Sequence, residues 1–102
     1  MIRCAVKEGT DQVRATFVVP GGGLYGHLVA VVGDFNGWNP TAAPMRKQGD
    51  GRVATVTLQP GRRYAFRYVC DDGAWFNDEA ADAYQPNDFG EENSILDLTG
   101  AG

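Results

Sequence analysis

The 102-residue chain has few of the residues on which most catalytic and metal-binding motifs depend. It contains one histidine, His27, and two cysteines, Cys4 and Cys70, which do not form the closely spaced pairs typical of zinc sites. A serine-hydrolase elbow, a phosphate-binding loop and a helical zinc motif are all missing from the sequence. We therefore expect no cofactor and no catalytic nucleophile. His27 is expected to be structural, and both cysteines to be small buried apolar side chains.

The chain also lacks an excess of basic residues and any long apolar segment. It has 9 lysines and arginines against 13 aspartates and glutamates, for a formal net charge of −4. Nucleic-acid binders usually present clustered positive charge. A membrane span needs about 18 consecutive apolar residues, and a secretory signal needs an apolar run of about 7–15. We expect a cytoplasmic protein with neither nucleic acid nor membrane as a partner.

The numerous acidic residues raise hydrolysis and calcium binding as alternatives. Two carboxylates on either side of a glycosidic bond can hydrolyse it, but a chain of this length offers little material for the walls of a cleft. Most of the acids also fall in turn-like segments, where aspartate is favoured by its backbone hydrogen bonds. Asp71, Asp72 and Asp78 could gather around calcium, although their spacing matches no EF-hand loop. We expect neither catalysis nor a metal site.

Short alternations of apolar and polar residues, interrupted by glycine and proline, run through the whole chain. No segment of eleven or more residues has a clear helical period. Closely spaced short strands predict an all-β sandwich or barrel. The predicted strands cover residues 2–7, 12–19, 27–32, 52–58, 64–70, 74–76 and 94–98. Turns are expected at residues 21–23 and 71–73, and a short helical turn at 78–84.

The strand predicted at residues 64–70 separates its side chains most clearly. Tyr64, Phe66, Tyr68 and Cys70 alternate on one face, whereas Arg67 lies on the other. Since the larger apolar set belongs in the core, Arg67 should point outward.

Both tryptophans follow tight turns. Trp38 comes directly after the turn-forming pair Asn36-Gly37, and Trp75 follows the turn at residues 71–73. An indole exposed at such a position would offer a flat apolar surface to the C–H face of a pyranose ring. The alternative is that one or both tryptophans cap the ends of the core.

Three segments, in order along the chain, carry a resemblance to a known family. They are VAVVGDFNGWNP at residues 29–40, YAFRYVCDDGAWFND at 64–78 and GEENSILDL at 90–98. The first is similar to the GxFNxW signature of carbohydrate-binding module family 48. This family includes the glycogen-binding domain of AMP-activated protein kinase β subunits and the N-terminal early-set domains of isoamylases and glycogen branching enzymes. The resemblance covers roughly residues 12–98.

The resemblance implies an immunoglobulin-like (early-set) β-sandwich of about seven short antiparallel strands. We expect residues 1–102 to form a single such domain, with residues 99–102 as a frayed tail. It also implies a carbohydrate-binding site. In this site the two tryptophans stack on sugar rings, a basic residue and an asparagine donate hydrogen bonds, and a further apolar side chain reaches through the glucan helix. The matching positions are Trp38, Arg67, Trp75, Phe89 and Asn93.

The sequence departs from the family pattern near this expected site. The turn at residues 71–73 is one residue longer than usual, which would tilt Trp75. Arg67 replaces the usual lysine and changes the donor geometry. Phe89 stands where the family has leucine, so it either adds a third stacking surface or blocks the groove. Glu91 falls where the kinase domain has threonine.

Two functional hypotheses follow. In the first, the chain binds α-1,4-glucan such as glycogen or maltooligosaccharides through exposed tryptophans, without catalysis. In the second, it is a protein-interaction module that docks onto a glycogen-metabolising enzyme and does not itself bind sugar.

Overall fold

The computed structural model describes residues 2–6, 9–20, 28–49, 51–88 and 90–99, which form two packed antiparallel sheets. The strands in these residues are β1 (Ile2–Val6), β2 (Val13–Val19), β3 (Val29–Gly33), β4 (Arg46–Gln48), β5 (Gly51–Leu58), β6 (Arg63–Cys70), β7 (Trp75–Phe76), β8 (Ala83–Pro86) and β9 (Glu92–Asp97). One sheet has the order β1-β2-β5-β4. The other has the order β3-β6-β9-β8, with β7 also paired to β6. The expected all-β sandwich is therefore confirmed.

The core lies between the two sheets and follows the predicted alternation. The inward set of β2 is buried, as is the inward set of β6 at residues 64, 66, 68 and 70. Phe17 of β2 meets Phe66 of β6 edge to face, with ring centroids 5.1 Å apart. Because these apolar side chains occupy the inner faces, the alternate residues of β6 are directed to the outer face of the five-stranded sheet.

Strand β6 organises the second sheet. Its residues 66–70 pair with β3 along one edge. The opposite edge is shared, since β9 pairs with residues 63–66 and β7 pairs with residues 68–69. Residues from β3, β6, β7 and β9 therefore stand next to one another on a single outer face.

The segment at residues 43–48 connects the two sheets along one side. Val31 N–H donates to the Ala43 carbonyl, and Met45 N–H donates to the Val29 carbonyl. The chain then crosses to the other sheet, where β4 pairs with residues 51–53 of β5.

Several local expectations were wrong. Strands β4 and β8 were not predicted, because their residues are mostly exposed and show no apolar alternation. The expected helical turn at 78–84 is absent, since the chain turns at 79–80 and then forms β8 against β9. The last strand, Glu92–Asp97, begins earlier than the predicted start at residue 94. Cys4 is exposed because β1 is an edge strand, whereas Cys70 is buried as expected.

The predictions made for His27, for the glycine turn at 21–23, for Phe89 and for most of the tail lie outside the described residues. No helix in the described ranges is long and apolar enough to cross a membrane.

Candidate functional site

A row of three cross-strand neighbours lies on the outer face of the five-stranded sheet. Val69 of β6 pairs with Ala30 of β3 on one side and with Trp75 of β7 on the other. Cross-strand partners project to the same face, about 4.8 Å apart. Trp75 is therefore held beside a buried valine while its own indole stays 44% exposed.

A second row of cross-strand neighbours lies two residues further along the strands, on the same face. Val32 pairs with Arg67. The β6–β9 register, continued one residue past the Phe66–Ser94 pair, brings Asn93 beside Arg67. The two rows are about 7 Å apart, the separation of residues i and i+2 in a strand. Arg67 is consequently a neighbour of both Trp75 and Asn93.

The second aromatic side chain of the site comes from the loop after β3. Trp38 packs on Ala30, Val32 and Val69, which are buried on the outer face and separate from the main core. The alternative in which the tryptophans cap the main core does not hold, because neither indole belongs to that core and both lie over the outer face.

Asn36 holds this loop in place. Its Oδ1 accepts from Gly33 N–H at 3.0 Å, and its Nδ2 donates to the Val31 carbonyl at 3.0 Å. The Gly33 carbonyl in turn accepts from the N–H groups of Asn36 and Trp38. Gly37 and Trp38 both adopt left-handed backbone conformations, with φ of 66° and 60°. This conformation is uncommon for a tryptophan, and it turns the chain back over the sheet.

Asp34 ties the Trp38 indole to strand β6. Its Oδ1 accepts from Trp38 Nε1 at 3.2 Å, and its Oδ2 accepts from Ala65 N–H at 2.9 Å. Asp34 N–H also donates to the Ala65 carbonyl. One carboxylate thus fixes both the loop and the ring, a role that the turn pattern of the sequence did not reveal.

Arg67 lies on the outer face as predicted, yet its side chain is only 11% exposed. Its guanidinium carbon lies 5.8 Å from the centroid of the Trp75 ring, in the range of a cation–π contact. Nη1 donates to Glu91 Oε2 in a salt bridge. The buried Nε has no hydrogen-bond partner among the described residues. Glu91 therefore positions the guanidinium of Arg67, and the Nε–H donor of that guanidinium is unused among the described residues.

Asn93 and Asn87 connect the loop at residues 87–91 to the outer face. Asn87 Nδ2 donates to Asn93 Oδ1 at 3.1 Å, and Asn87 Oδ1 accepts from Glu91 N–H at 3.2 Å. The loop is closed by a further bond from Asn87 N–H to the Glu91 carbonyl. Because the Asn93 oxygen is engaged, its Nδ2 is the atom best placed to donate to a ligand.

Together these side chains line one open depression of about 870 Å³, within the usual range of ~300–1,000 Å³ for ligand sites. Four of the five predicted binding residues contribute to it: Trp38, Arg67, Trp75 and Asn93. Asp34, Asn87, Asp88 and Glu91 line it too. The sequence singled out only Glu91 of these, as a departure from the family pattern, and assigned none of them a binding role.

A buried polar network supports β7 from below. Tyr68 Oη donates to Asp78 Oδ2 at 2.7 Å, and Asp78 N–H donates to Ser94 Oγ at 3.0 Å. Asp78 Oδ1 accepts from Ala80 N–H. Burial, and then the neighbouring Asp78 carboxylate, raise the pKa of Tyr68 well above its ordinary value, so the phenol stays a donor. Asp78 is thus engaged within the protein, and the described ranges hold no cluster of three metal-ligating side chains.

The fold and the depression define a small β-sandwich recognition module with an aromatic surface on one sheet. Residues 13–100 match the family described as the glycogen recognition site of AMP-activated protein kinase, and the chain belongs to this family. The resemblance to the glycogen-binding modules is thereby confirmed.

The chain is also similar to short parts of two curated bacterial enzymes. It is 32% identical over 79 residues to the 1,4-alpha-glucan branching enzyme GlgB of Cupriavidus necator, covering 72% of this chain and 10% of that protein. It is 43% identical over 47 residues to the 1,4-alpha-glucan branching enzyme GlgB 2 of Xanthomonas campestris pv. campestris, covering 44% of this chain and 6% of that protein. The match thus spans a tenth or less of either enzyme.

Proposed function

We propose that this chain binds α-1,4-glucan chains without catalysis, through the depression on the outer face of the β3-β6-β9-β8 sheet. Trp38 and Trp75 stack on glucose rings, and Arg67 and Asn93 donate hydrogen bonds to ring hydroxyls. The observation that carries the proposal is the placement of these four side chains around one open depression, with the Trp75 indole 44% exposed.

The charges of the depression suit a neutral polyhydroxyl ligand. Arg67 is paired with Glu91, and both oxygens of Asp34 already accept hydrogen bonds. Two of the three carboxylates that line the depression in the described ranges, Asp34 and Glu91, are thus engaged in positioning, so Asp88 has no second free carboxylate beside it with which to form a reactive pair. This arrangement supports binding over glycoside hydrolysis.

The binding should be weak, because the platform is open. A stacked indole contributes about 1 kcal/mol beyond its apolar area, and two such contacts on an open surface correspond roughly to a micromolar to millimolar Kd. Loss of one indole removes about 2–3 kcal/mol when its buried area is included, or roughly 30- to 150-fold in affinity.

Calorimetric titration with maltoheptaose or β-cyclodextrin tests the proposal. We expect measurable binding by the native chain and binding at least ~30-fold weaker by Trp38→Ala or Trp75→Ala, with each remaining tryptophan reporting on folding by its fluorescence. Arg67→Gln should weaken binding. Arg63→Gln provides its matched control, since Arg63 lies on the same strand and face but beside Asp97, away from the depression. Absence of any heat or fluorescence change at millimolar sugar would refute the proposal.

A second function, docking onto a glycogen-metabolising enzyme, is favoured by a different surface. β4 pairs with β5 only at residues 51–53, so within the described ranges residues 54–57 have a strand partner on the β2 side alone. A cleft lined by Phe35, Ala43, Ala54 and Val56 opens beside this edge. The cleft also has polar lining residues such as Asn36 and Arg46. An exposed strand edge next to a cleft of mixed lining is a common way to receive an extended segment of another protein. Binding to a purified branching enzyme that maltoheptaose does not compete would support this function.

A further inference from the structure

Leu28 is the most exposed large apolar side chain in the described part of the chain, at 73%. The other two exposed large apolar residues are explained by their contacts. Trp75 belongs to the depression, and Tyr84 uses its hydroxyl to donate to the Asp78 carbonyl. Leu28 immediately precedes β3, and its side chain has no comparable contact within the described ranges.

The register places Leu28 on the same outer face as the two tryptophans. Asp71 N–H donates to the Leu28 carbonyl at 2.9 Å, which continues the β3–β6 ladder one pair beyond Val29–Cys70. Side chains alternate along a strand, so Leu28 follows Ala30 on the outer face, whereas Val29 belongs to the core. Its Cα lies about 7 Å from that of Ala30, on which Trp38 packs.

The apolar surface of the site therefore extends beyond the tryptophans. Val32 and Ala30 of β3 are themselves buried under Trp38, and Trp75 lies across Val69 of β6 from Ala30. Leu28 continues the outward row of β3 past these buried residues into solvent, just outside the lining of the depression. A long glucan has more sugar units than the two tryptophans can hold. Its further units would pass either over Leu28 or away from the protein. Only the first path would cover the exposed Leu28 side chain and remove its apolar area from water.

We infer that Leu28 forms an additional subsite, which contacts the apolar face of a glucose unit beyond those held by Trp38 and Trp75. This inference rests on the proposed function. It makes Leu28 a determinant of chain-length preference, because short oligosaccharides filling only the aromatic subsites would not reach it.

The test compares maltotriose with maltoheptaose by calorimetry in the native chain and in Leu28→Ser. We expect the native chain to bind maltoheptaose more tightly, and Leu28→Ser to lose about three- to tenfold for maltoheptaose with little change for maltotriose. Leu28 is exposed, so the substitution should leave folding intact, which circular dichroism checks. Val18→Ser is the matched control, since Val18 lies on the outer face of the other sheet.

The outcomes separate this inference from the proposed function. If Leu28→Ser binds both sugars like the native chain while Trp38→Ala abolishes binding, the subsite is refuted and the glucan-binding function stands. If the native chain binds neither sugar, the proposed function fails and the subsite fails with it. Equal losses for the two sugars would also overturn the inference, because Leu28 would then not distinguish chain length.

Discussion

Replacing Asp34 by asparagine tests whether Trp38 is held in place by the carboxylate that joins it to β6. The aspartate has two acceptor oxygens, one for Trp38 Nε1 and one for Ala65 N–H. Asparagine has the same shape but only one acceptor oxygen, so one of the two donors would face an NH₂ group. The substitution therefore removes one hydrogen bond and places two donors against each other without changing volume.

The expected loss follows from the geometry. A hydrogen bond to a charged acceptor contributes about 1.5–3 kcal/mol, and because Asp34 is exposed we expect a loss at or below the lower end of that range, about 1–2 kcal/mol. For a domain of this size the melting temperature should fall by roughly 4–16 °C. Affinity for maltoheptaose should also fall, because the Trp38 indole would no longer be fixed over the outer face.

Thermal unfolding and calorimetric titration measure the two effects separately, and sugar binding is measured well below the lowered melting temperature. The matched control is Asp11→Asn, which changes the same charge at an exposed position before β2. If Asp34→Asn melts like the native chain and binds maltoheptaose equally well, the carboxylate does not position Trp38.

Two further substitutions test the supports of the site. Gly33→Ala should destabilise the fold by about 1–3 kcal/mol, because a Cβ there would lie 2.5 Å from the Ala65 carbonyl oxygen and 2.9 Å from Phe66 Cβ. Urea unfolding measures the loss. Gly49→Ala is the control, since its added methyl meets nothing within 4 Å and its φ of 62° gives backbone strain without a clash. Tyr68→Phe should cost about 1.5–3 kcal/mol, since it removes the hydrogen bond to the buried Asp78 carboxylate; an unchanged urea midpoint would show that this bond does not contribute to stability.

The sequence predicted the parts of the fold in which burial dictates the residue pattern. The inward residues of β2 and β6 are buried in the core, as their alternation predicted. Strand β3 is buried on both faces, as its continuous apolar run predicted. Strands β4 and β8 escaped prediction because they are short edge strands, formed by pairing with β5 and β9 and not by an apolar pattern of their own. The helical turn expected at 78–84 was wrong for the same reason, since the pairing with β9 decides the conformation of residues 83–86.

In the site, too, local pattern predicted the direction of side chains but not their distant partners. The outward direction of Arg67 follows from alternation, and the exposure of Trp75 agrees with its position after a turn. The partners that set their chemistry are distant in sequence. Glu91 is 24 residues from Arg67, and Ala65 is 31 residues from Asp34. No local pattern reports such contacts, so the covered state of the guanidinium could not be predicted.

In the signature GDFNGW, most residues hold the loop against the sheet, and one residue, Trp38, presents its ring to the outer face. Gly33 allows close approach to β6, Asp34 fixes the indole, Phe35 stacks on the core at Phe17, and Asn36 holds the loop. Only Trp38 presents a ring to the outer face, so the signature specifies where an indole is held and leaves open what lies beside it. On this argument, sugar preference within such modules should vary with residues outside the signature. In this chain we expect those residues to be Glu91, which engages the neighbouring guanidinium, and Leu28, which is exposed on the same outer face.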